Sequence, residues 1–351
     1  MEWDFLIIGG GIAGASVGAA LAEHGSVALW EAEDVFGYHA SGRSAALFEE
    51  SYGLPPVVAL NRASRADHAA NGWMTPRGLM LLAVAGQEDT FDHDLTHMAM
   101  EPLSLDEART MVPILSPDVT RAALHVDAFD LDTDAMIQTG LRAVGQARAG
   151  RRVTAITGIA GGWHVQAGPN EVTARQIVNA AGPWADRIAA LAGVRPLGLT
   201  PLRRSMARIR APGGHDVARW PMLMGAGETW YAKPDAGALI VSPAEEAPSD
   251  PVDAFADDMT LAEGMARYQA AVTPEVTRPI STWAGLRTFT PDRCLALGAS
   301  EVEGFWWCAG QGGYGFQTAP AAARLLADLI AGRASELDTA TVAALDPGRL
   351  R

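Results

Sequence analysis

The chain has 351 residues, 48% apolar and 19% charged, which is enough for more than one small core and too apolar for a disordered protein. Its 27 basic residues stand against 41 acidic ones, and the formal net charge of −14 excludes a protein built to grip a nucleic-acid backbone. Lys233 is the only lysine, so fixed positive charge in a site must otherwise come from arginine.

The N-terminal run MEWDFLIIGGG passes from an acidic start straight into an apolar strand and a glycine turn, without the basic region of a secretion signal. No apolar stretch reaches membrane-spanning length, so a cytoplasmic location is expected. Cys294 and Cys308 are too few for a disulfide framework, and their apolar neighbours suit buried free thiols.

Phe5 to Ile8 reads as a buried strand, Ala13 to Glu23 as an alanine-rich helix and Val27 to Trp30 as a second strand, which together make a βαβ unit. Gly9, Gly11 and Gly14 fit G-x-G-x-x-G at its turn. One glycine permits the tight bend, one lets a pyrophosphate approach and one lets helix and strand pack. Glu31 ends the second strand where a carboxylate would accept ribose hydroxyls. At this point the nucleotide is either NAD or FAD.

A run of small residues follows, Gly37 to Ala46, then Tyr52-Gly53, suited to lie under a flat ring system. Strands are expected at Gly78–Val84, Trp163–Ala167, Thr229–Ala232 and Ala238–Val241. Helices are expected at Leu105–Met111, behind a Ser104/Glu107 capping box, and at Thr133–Ala149. His93 and His97 stand four apart, but without the H-E-x-x-H pattern they read as a solvated face, and no metal is expected. Ser41 and Ser44 lack a G-x-S-x-G elbow, so a serine hydrolase has no support. Ile177 to Trp184 is a buried strand breaking into a small-residue turn, and Ser242 to Asp258, rich in proline and acid, reads as a surface excursion. Gly304–Ala309 is a strand with Trp306 and Trp307 facing two packed sides, Gly310–Gly315 a glycine turn, and Thr318–Ile330 a helix closed by Gly332. The dipole of that helix would stabilise a reduced, anionic flavin.

The ordered motifs GGGIAG, GYHASGRSAA, VNAAGPWAD, PLRRS, WYAKPDAG, TWAGLR, TPD and QGGYGFQT resemble the D-amino-acid oxidase superfamily, most closely its bacterial D-arginine dehydrogenase-like branch. The resemblance implies an α/β fold: a Rossmann-like FAD-binding domain of the GR2 type from residues 1–78, 132–200 and 285–345, and a mixed antiparallel-sheet α+β substrate domain from 79–131 and 201–284. Besides the three glycines and Glu31, it places FAD contacts at Ile12, Ala13, Ala32, Ser41, Ser44, Ala45, Ala46, Leu47 and Val153. Further contacts fall at Ala181, Gly182, Trp184, Gly312, Gly313, Tyr314, Gly315, Phe316 and Gln317.

In that family an amino acid lies over the flavin with its carboxylate held by arginine and its α-hydrogen aimed at flavin N5. The clamp falls on Arg204 and Arg287, with Tyr52, Tyr231 and the Gly313 carbonyl positioning the substrate, and a guanidinium fork matches a carboxylate bidentately. The product would be an imine that hydrolyses to a 2-oxo acid and ammonia. The branch's acid for a cationic side chain falls on Leu79 and its active-site histidine on Leu47. A neutral, hydrophobic side chain is therefore expected over arginine, with Glu49 or Glu50 as the acid that would change this. Gly285 stands where sarcosine-oxidase-like relatives carry a flavin-linking cysteine, which implies non-covalent FAD. Lys233 lies outside the position of their oxygen-reactive lysine, which leans towards a dehydrogenase with a quinone or protein acceptor, O2 being the alternative. Oxidation of an N-methylated amino acid or a 2-hydroxy acid, and flavin binding without turnover, are the competing readings.

Overall fold

The computed structural model describes residues 1–98, 100–276 and 278–350. Within them the strands form sheets of eight, nine and three. The first strand, Trp3–Ile8, lies at the centre of the eight-stranded sheet, parallel to Val27–Trp30 on one side and to Asn170–Asn179 on the other. It is covered on both faces. Phe5 and Ile7 join one core with Val17, Leu29, Val178 and Leu326, whereas Leu6 and Ile8 join another with Trp30, Ile177 and Trp307. This explains why it reads as an unbroken apolar run rather than an alternating one.

The ten-residue strand Asn170–Asn179 divides its free edge. Its first half pairs antiparallel with Gly162–Ala167, which continues into Ala155–Ile159, and its second half pairs parallel with Phe305–Ala309. The helix expected over Thr133–Ala149 is shorter, Thr133–Val144, because Gly145 turns to φ 72°. Gln146–Arg148 then becomes an edge strand beside Val27–Trp30. The helix expected at Thr318–Ile330 starts at Gly315, three residues earlier, a further helix follows at Thr339–Leu345, and the strand expected at Thr229–Ala232 runs Tyr231–Asp235.

The nine-stranded sheet is mainly antiparallel, with Met222–Gly225 and Leu79–Val84 as its parallel pair. Its side chains alternate between two faces. Met80, Leu82, Ala207, Ile209, Leu223 and Ala232 pack on helices Leu105–Met111 and Asp258–Ala270. Leu79, Leu81, Met222 and Met224 form the other face, which covers the site described below. The Ser242–Asp258 segment is more than a surface excursion. Ala247–Pro248 pairs with the long strand Thr200–Arg210, and Arg43 grips Asp253 and the Ala254 carbonyl. Among the described residues no helix is long and apolar enough to cross a membrane.

Near the C-terminal turn, Arg349 donates to both oxygens of Asp292, at 2.7 and 3.0 Å, and to the Cys294 carbonyl. Burial opposes ionisation of Asp292, but hydrogen bonds from Arg349, Thr290 and the Cys294 N–H outweigh it and bring the carboxyl down to about 2 from an ordinary 3.8. A depressed value stabilises the fold above the unfolded pKa, and that contribution is lost as pH falls through the folded one. Asp292→Asn is expected to cost about 1 kcal/mol near neutral pH, after allowance for solvent screening. Urea titrations should show the gap to wild type closing as pH drops from about 4 towards 2; a pH-independent gap would refute the assignment.

Candidate active site and cofactor cleft

Between the eight- and nine-stranded sheets runs a cavity of about 620 Å³, bounded at one end by the N-terminal glycine turn and Glu31 and at the other by Arg204, Tyr231 and Arg287. At the first end Gly9 has φ 114°, which L side chains rarely adopt, and a Cβ there would overlap the Ala180 carbonyl oxygen. A Cβ on Gly14 would overlap the Gly9 carbonyl oxygen, so Gly14 acts behind the wall by letting the helix Ile12–Leu21 close on the turn. Gly11 caps that helix without a side chain, and the Ile12 N–H donates to Ser41 Oγ at 3.0 Å. The Glu31 carboxylate accepts the Gly10 N–H at 2.6 Å through one oxygen and the Glu33 N–H at 2.8 Å through the other. Each oxygen keeps a lone pair for a further donor. Ala13 and Ala32 complete this end.

The cavity is further walled by Ser41, Ser44, Ala45, Ala46 and Leu47 on one stretch, and by Val153, Ala181, Gly182 and Trp184 from two others. Ala46 adopts φ 44°, and Ser44 Oγ accepts its N–H at 3.1 Å. A non-glycine residue in this region costs on the order of 1 kcal/mol and persists where its surroundings over-determine it. His39, which the motif reading passed over, packs on Trp184 with ring centroids 4.6 Å apart. The turn ahead of the helix Gly315–Ile330 contributes Gly312 and Gly313, and the first turn of that helix contributes Gly315, Phe316 and Gln317. Tyr314 stands behind them, packed against Tyr52 and Phe289.

At the far end two neighbouring strands carry the arginines. In the pairing of Thr200–Arg210 with Ser281–Phe289, Arg204 is opposite Gly285 and Arg287 is opposite Leu202, so the two guanidinia are diagonal neighbours on the cavity face. Gly285 leaves the place across from Arg204 without a side chain. Arg204 is 7% exposed and its Nε is buried without a hydrogen-bond partner. Burial, then the charge of Arg287, lowers its pKa, whereas for Arg287 the neighbouring Tyr52, Tyr231 and Glu246 outweigh burial and raise it. The directions differ, but both guanidinia stay charged at any working pH. A Cβ on Gly313 would run into the Arg287 guanidinium, so backbone and fork lie in close contact.

Burial pushes the Tyr52 phenol up to about 12, partly offset by Arg287, and its hydroxyl donates to Glu228 Oε2 at 3.1 Å. The Tyr231 hydroxyl lies 3.9 Å from Met206 Sδ. The wall beside Tyr231 is formed by Leu47, Leu79, Met98, Met222 and Met224. The methionines carry no motif, and only the alternation along Met222–Gly225 hinted at them. The two candidate acids separate clearly. Glu49, two residues beyond Leu47, lines the cavity and faces His125 Nδ1 at 2.9 Å and Ser51 Oγ at 2.8 Å. Glu50 pairs with Arg62 and Arg65, both at 3.4 Å, and is absent from the cavity wall. The Lys233 ammonium is bound to Asp130 Oδ1 at 2.8 Å, also away from the wall.

A glycine oxidase of Geobacillus kaustophilus is 25% identical over 372 residues, covering 97% of this chain and 96% of that protein. Its crystal structure superposes with a TM-score of 0.81 at 22% identity over 97% of each chain. An L-proline dehydrogenase from P. horikoshii gives a TM-score of 0.83 at 20% identity, covering 99% of this chain and 97% of that one. The similarity to a D-amino acid dehydrogenase of Cereibacter sphaeroides is higher, 45%, but spans 60 residues, only 17% of this chain and 14% of that protein. The profile described as "DAO: FAD dependent oxidoreductase" matches residues 4–329, and with nearly its whole length covered the chain belongs to the DAO family of FAD-dependent oxidoreductases.

Proposed function

We propose that the protein oxidises an amino acid at its Cα–N bond, with a D-amino acid bearing a neutral side chain as the preferred substrate. The observation that carries this is the placement of Arg204 and Arg287 as diagonal neighbours in the same cavity as the Gly9–Gly14 turn. That turn fits the pyrophosphate of FAD and Glu31 its ribose, while the stretch from Ser41 to Leu47 and the turn from Gly312 to Gln317 fit the flat ring. With no side chain at Gly285 to form a link, the cofactor is held non-covalently. Bound FAD supplies the acceptor for the two electrons and the α-hydrogen.

The residues of this chain bind and orient. Arg204 and Arg287 take the substrate carboxylate, a role for which two fixed guanidinium forks are suited. Tyr52, kept protonated by its burial, would turn its hydroxyl from Glu228 to the substrate carboxylate, and its ring with that of Tyr231 walls off water. The Gly313 carbonyl accepts from the substrate amine. Leu47 and Leu79, with the methionines around them, take the side chain, and an apolar wall does not offset the desolvation of a guanidinium, while Glu49 on the cavity wall is already engaged by His125 and Ser51. The D configuration is supported by the motif resemblance and the short identity with D-amino acid dehydrogenases. A dehydrogenase passing electrons to a quinone or protein acceptor is favoured over an oxidase because Lys233 is engaged by Asp130. The glycine oxidase similarity keeps small and N-substituted amino acids as the second reading.

Anaerobic reduction of the flavin by D-leucine, D-methionine, D-arginine, glycine, sarcosine and 2-hydroxy acids tests these readings together. The expected order of kcat/KM places D-methionine and D-leucine above D-arginine by on the order of 10²-fold. A win for D-arginine would overturn the side-chain assignment, and bleaching by no amino acid would overturn the reaction.

A further inference from the structure

The segment after Ser242 brings a third charged partner to the arginine pair. Leu202 and Arg203 pair with Pro248 and Ala247, and the next step of that register sets Glu246 beside Arg204. Glu246 Oε1 lies 3.5 Å from Arg204 Nη2 and 3.5 Å from Arg287 Nη1, at or beyond the edge of hydrogen-bond reach. Its firm partner is Arg293, whose Nη2 donates to both carboxylate oxygens at 2.8 and 2.9 Å. Arg293 is itself fixed: its guanidinium lies 4.0 Å over the Phe289 ring and its backbone sits at φ 65° beside the Asp292–Arg349 tie. Burial would raise the Glu246 carboxyl, but the Arg293 hydrogen bonds and the charges of Arg293, Arg287 and Arg204 hold it below the usual range, so it is an anion. It stands behind the two arginines, outside the cavity wall.

We infer that Glu246, anchored by Arg293, is a specificity-determining residue that weakens the field of the Arg204–Arg287 pair and so biases the site towards monocarboxylates over dicarboxylates. This rests on reading that pair as the substrate carboxylate clamp. Two adjacent guanidinia with nothing behind them keep a net positive charge after one carboxylate is bound, and so still attract a second. A fixed anion 3.5 Å from each subtracts from that attraction while leaving the cavity-side N–H groups free for one planar carboxylate. The substrate class excluded is the amino acid with an acidic side chain, in keeping with the leucine and methionine wall.

The sign of the charge makes the test. Benzoate and phthalate share a ring and differ by one carboxylate, and calorimetric titration of the FAD-loaded full chain at low ionic strength gives the affinity ratio of the two. Wild type should prefer benzoate. Glu246→Gln, which keeps shape and removes charge, should move the ratio towards phthalate by on the order of tenfold, and Arg293→Gln should move it the other way. Both shifts should shrink with added salt. Movement of both variants in one direction, or no movement beyond about twofold in either, would show Glu246 to be a structural brace and overturn the inference. Should Glu246→Gln fail to fold, Arg293→Gln alone decides by its direction. Benzoate binding that survives Arg287→Leu unchanged would instead overturn the clamp itself.

Discussion

Arg287→Leu is expected to lower kcat/KM for the best amino acid by on the order of 10³-fold, with the flavin content of the purified protein unchanged. Removing one partner of a buried, hydrogen-bonded charge pair costs roughly 2–5 kcal/mol, and a carboxylate left facing a leucine is such a case. Arg287 takes no part in the hydrogen bonds that hold the Gly9–Gly14 turn and Glu31, so the loss should fall mainly on the substrate. Most of it should appear in KM, because the carboxylate is held equally before and during the reaction. Arg287→Lys should recover only part, since an ammonium replaces a planar fork by a point charge. The guanidinium also lies against the Gly313 backbone, so the lysine variant will leave a gap there as well. Kinetics with flavin-to-protein absorbance on the same preparations checks both halves. A tenfold or smaller loss, or loss of flavin in parallel, would show that Arg287 is a structural arginine.

The fold and one end of the cavity were readable because their signals are local. A buried parallel strand, a glycine turn and an alanine-rich helix occupy about thirty consecutive residues, and Gly9 and Gly14 are demanded by backbone at the end of the adjoining strand and five positions away. Arg204 and Arg287 were found only through the resemblance: they are 83 residues apart in the chain, and the antiparallel pairing of Leu202 with Arg287 is what makes them neighbours. Glu246 had no such signal. Its surroundings, rich in proline and acid, read as solvent-facing, and its meaning comes from two strand pairings that converge on Arg204 from opposite edges. Glu49 and Glu50 are adjacent in the chain, yet only the side-chain alternation begun at Leu47 distinguishes the one on the cavity wall. The short strand Gln146–Arg148 was missed because helical periodicity runs on past Gly145, where a positive φ and an open sheet edge decide the outcome.

Gly14→Ala is expected to abolish stable FAD binding, whereas Gly10→Ala, inside the same motif, is expected to retain it. The contrast lies in what each added methyl meets. At Gly14 it would overlap the Gly9 carbonyl oxygen, and neither that backbone nor the helix above it can yield without lifting the helix from the strand. Lifting it withdraws the helix N-terminus from the position where its N–H groups and dipole face the pyrophosphate. At Gly10 the methyl would meet the Phe36 Cδ1 at 2.6 Å, on a ring that can turn aside, and the Glu31 Cβ at 2.9 Å, which must give by a few tenths of an ångström with its backbone. Overpacking at a rigid site costs about 1–3 kcal/mol or more, and the lost phosphate contacts add to it, so flavin affinity should fall by at least 10²-fold for Gly14→Ala. For Gly10→Ala the change should stay within about tenfold, because an adjustment around Phe36 and Glu31 relieves the contact without lifting the helix from the strand. Equilibrium dialysis of FAD against both refolded variants, with circular dichroism to confirm helix content, measures the difference. Equal losses in the two would mean that the whole turn, and not the close packing at Gly14, governs cofactor binding.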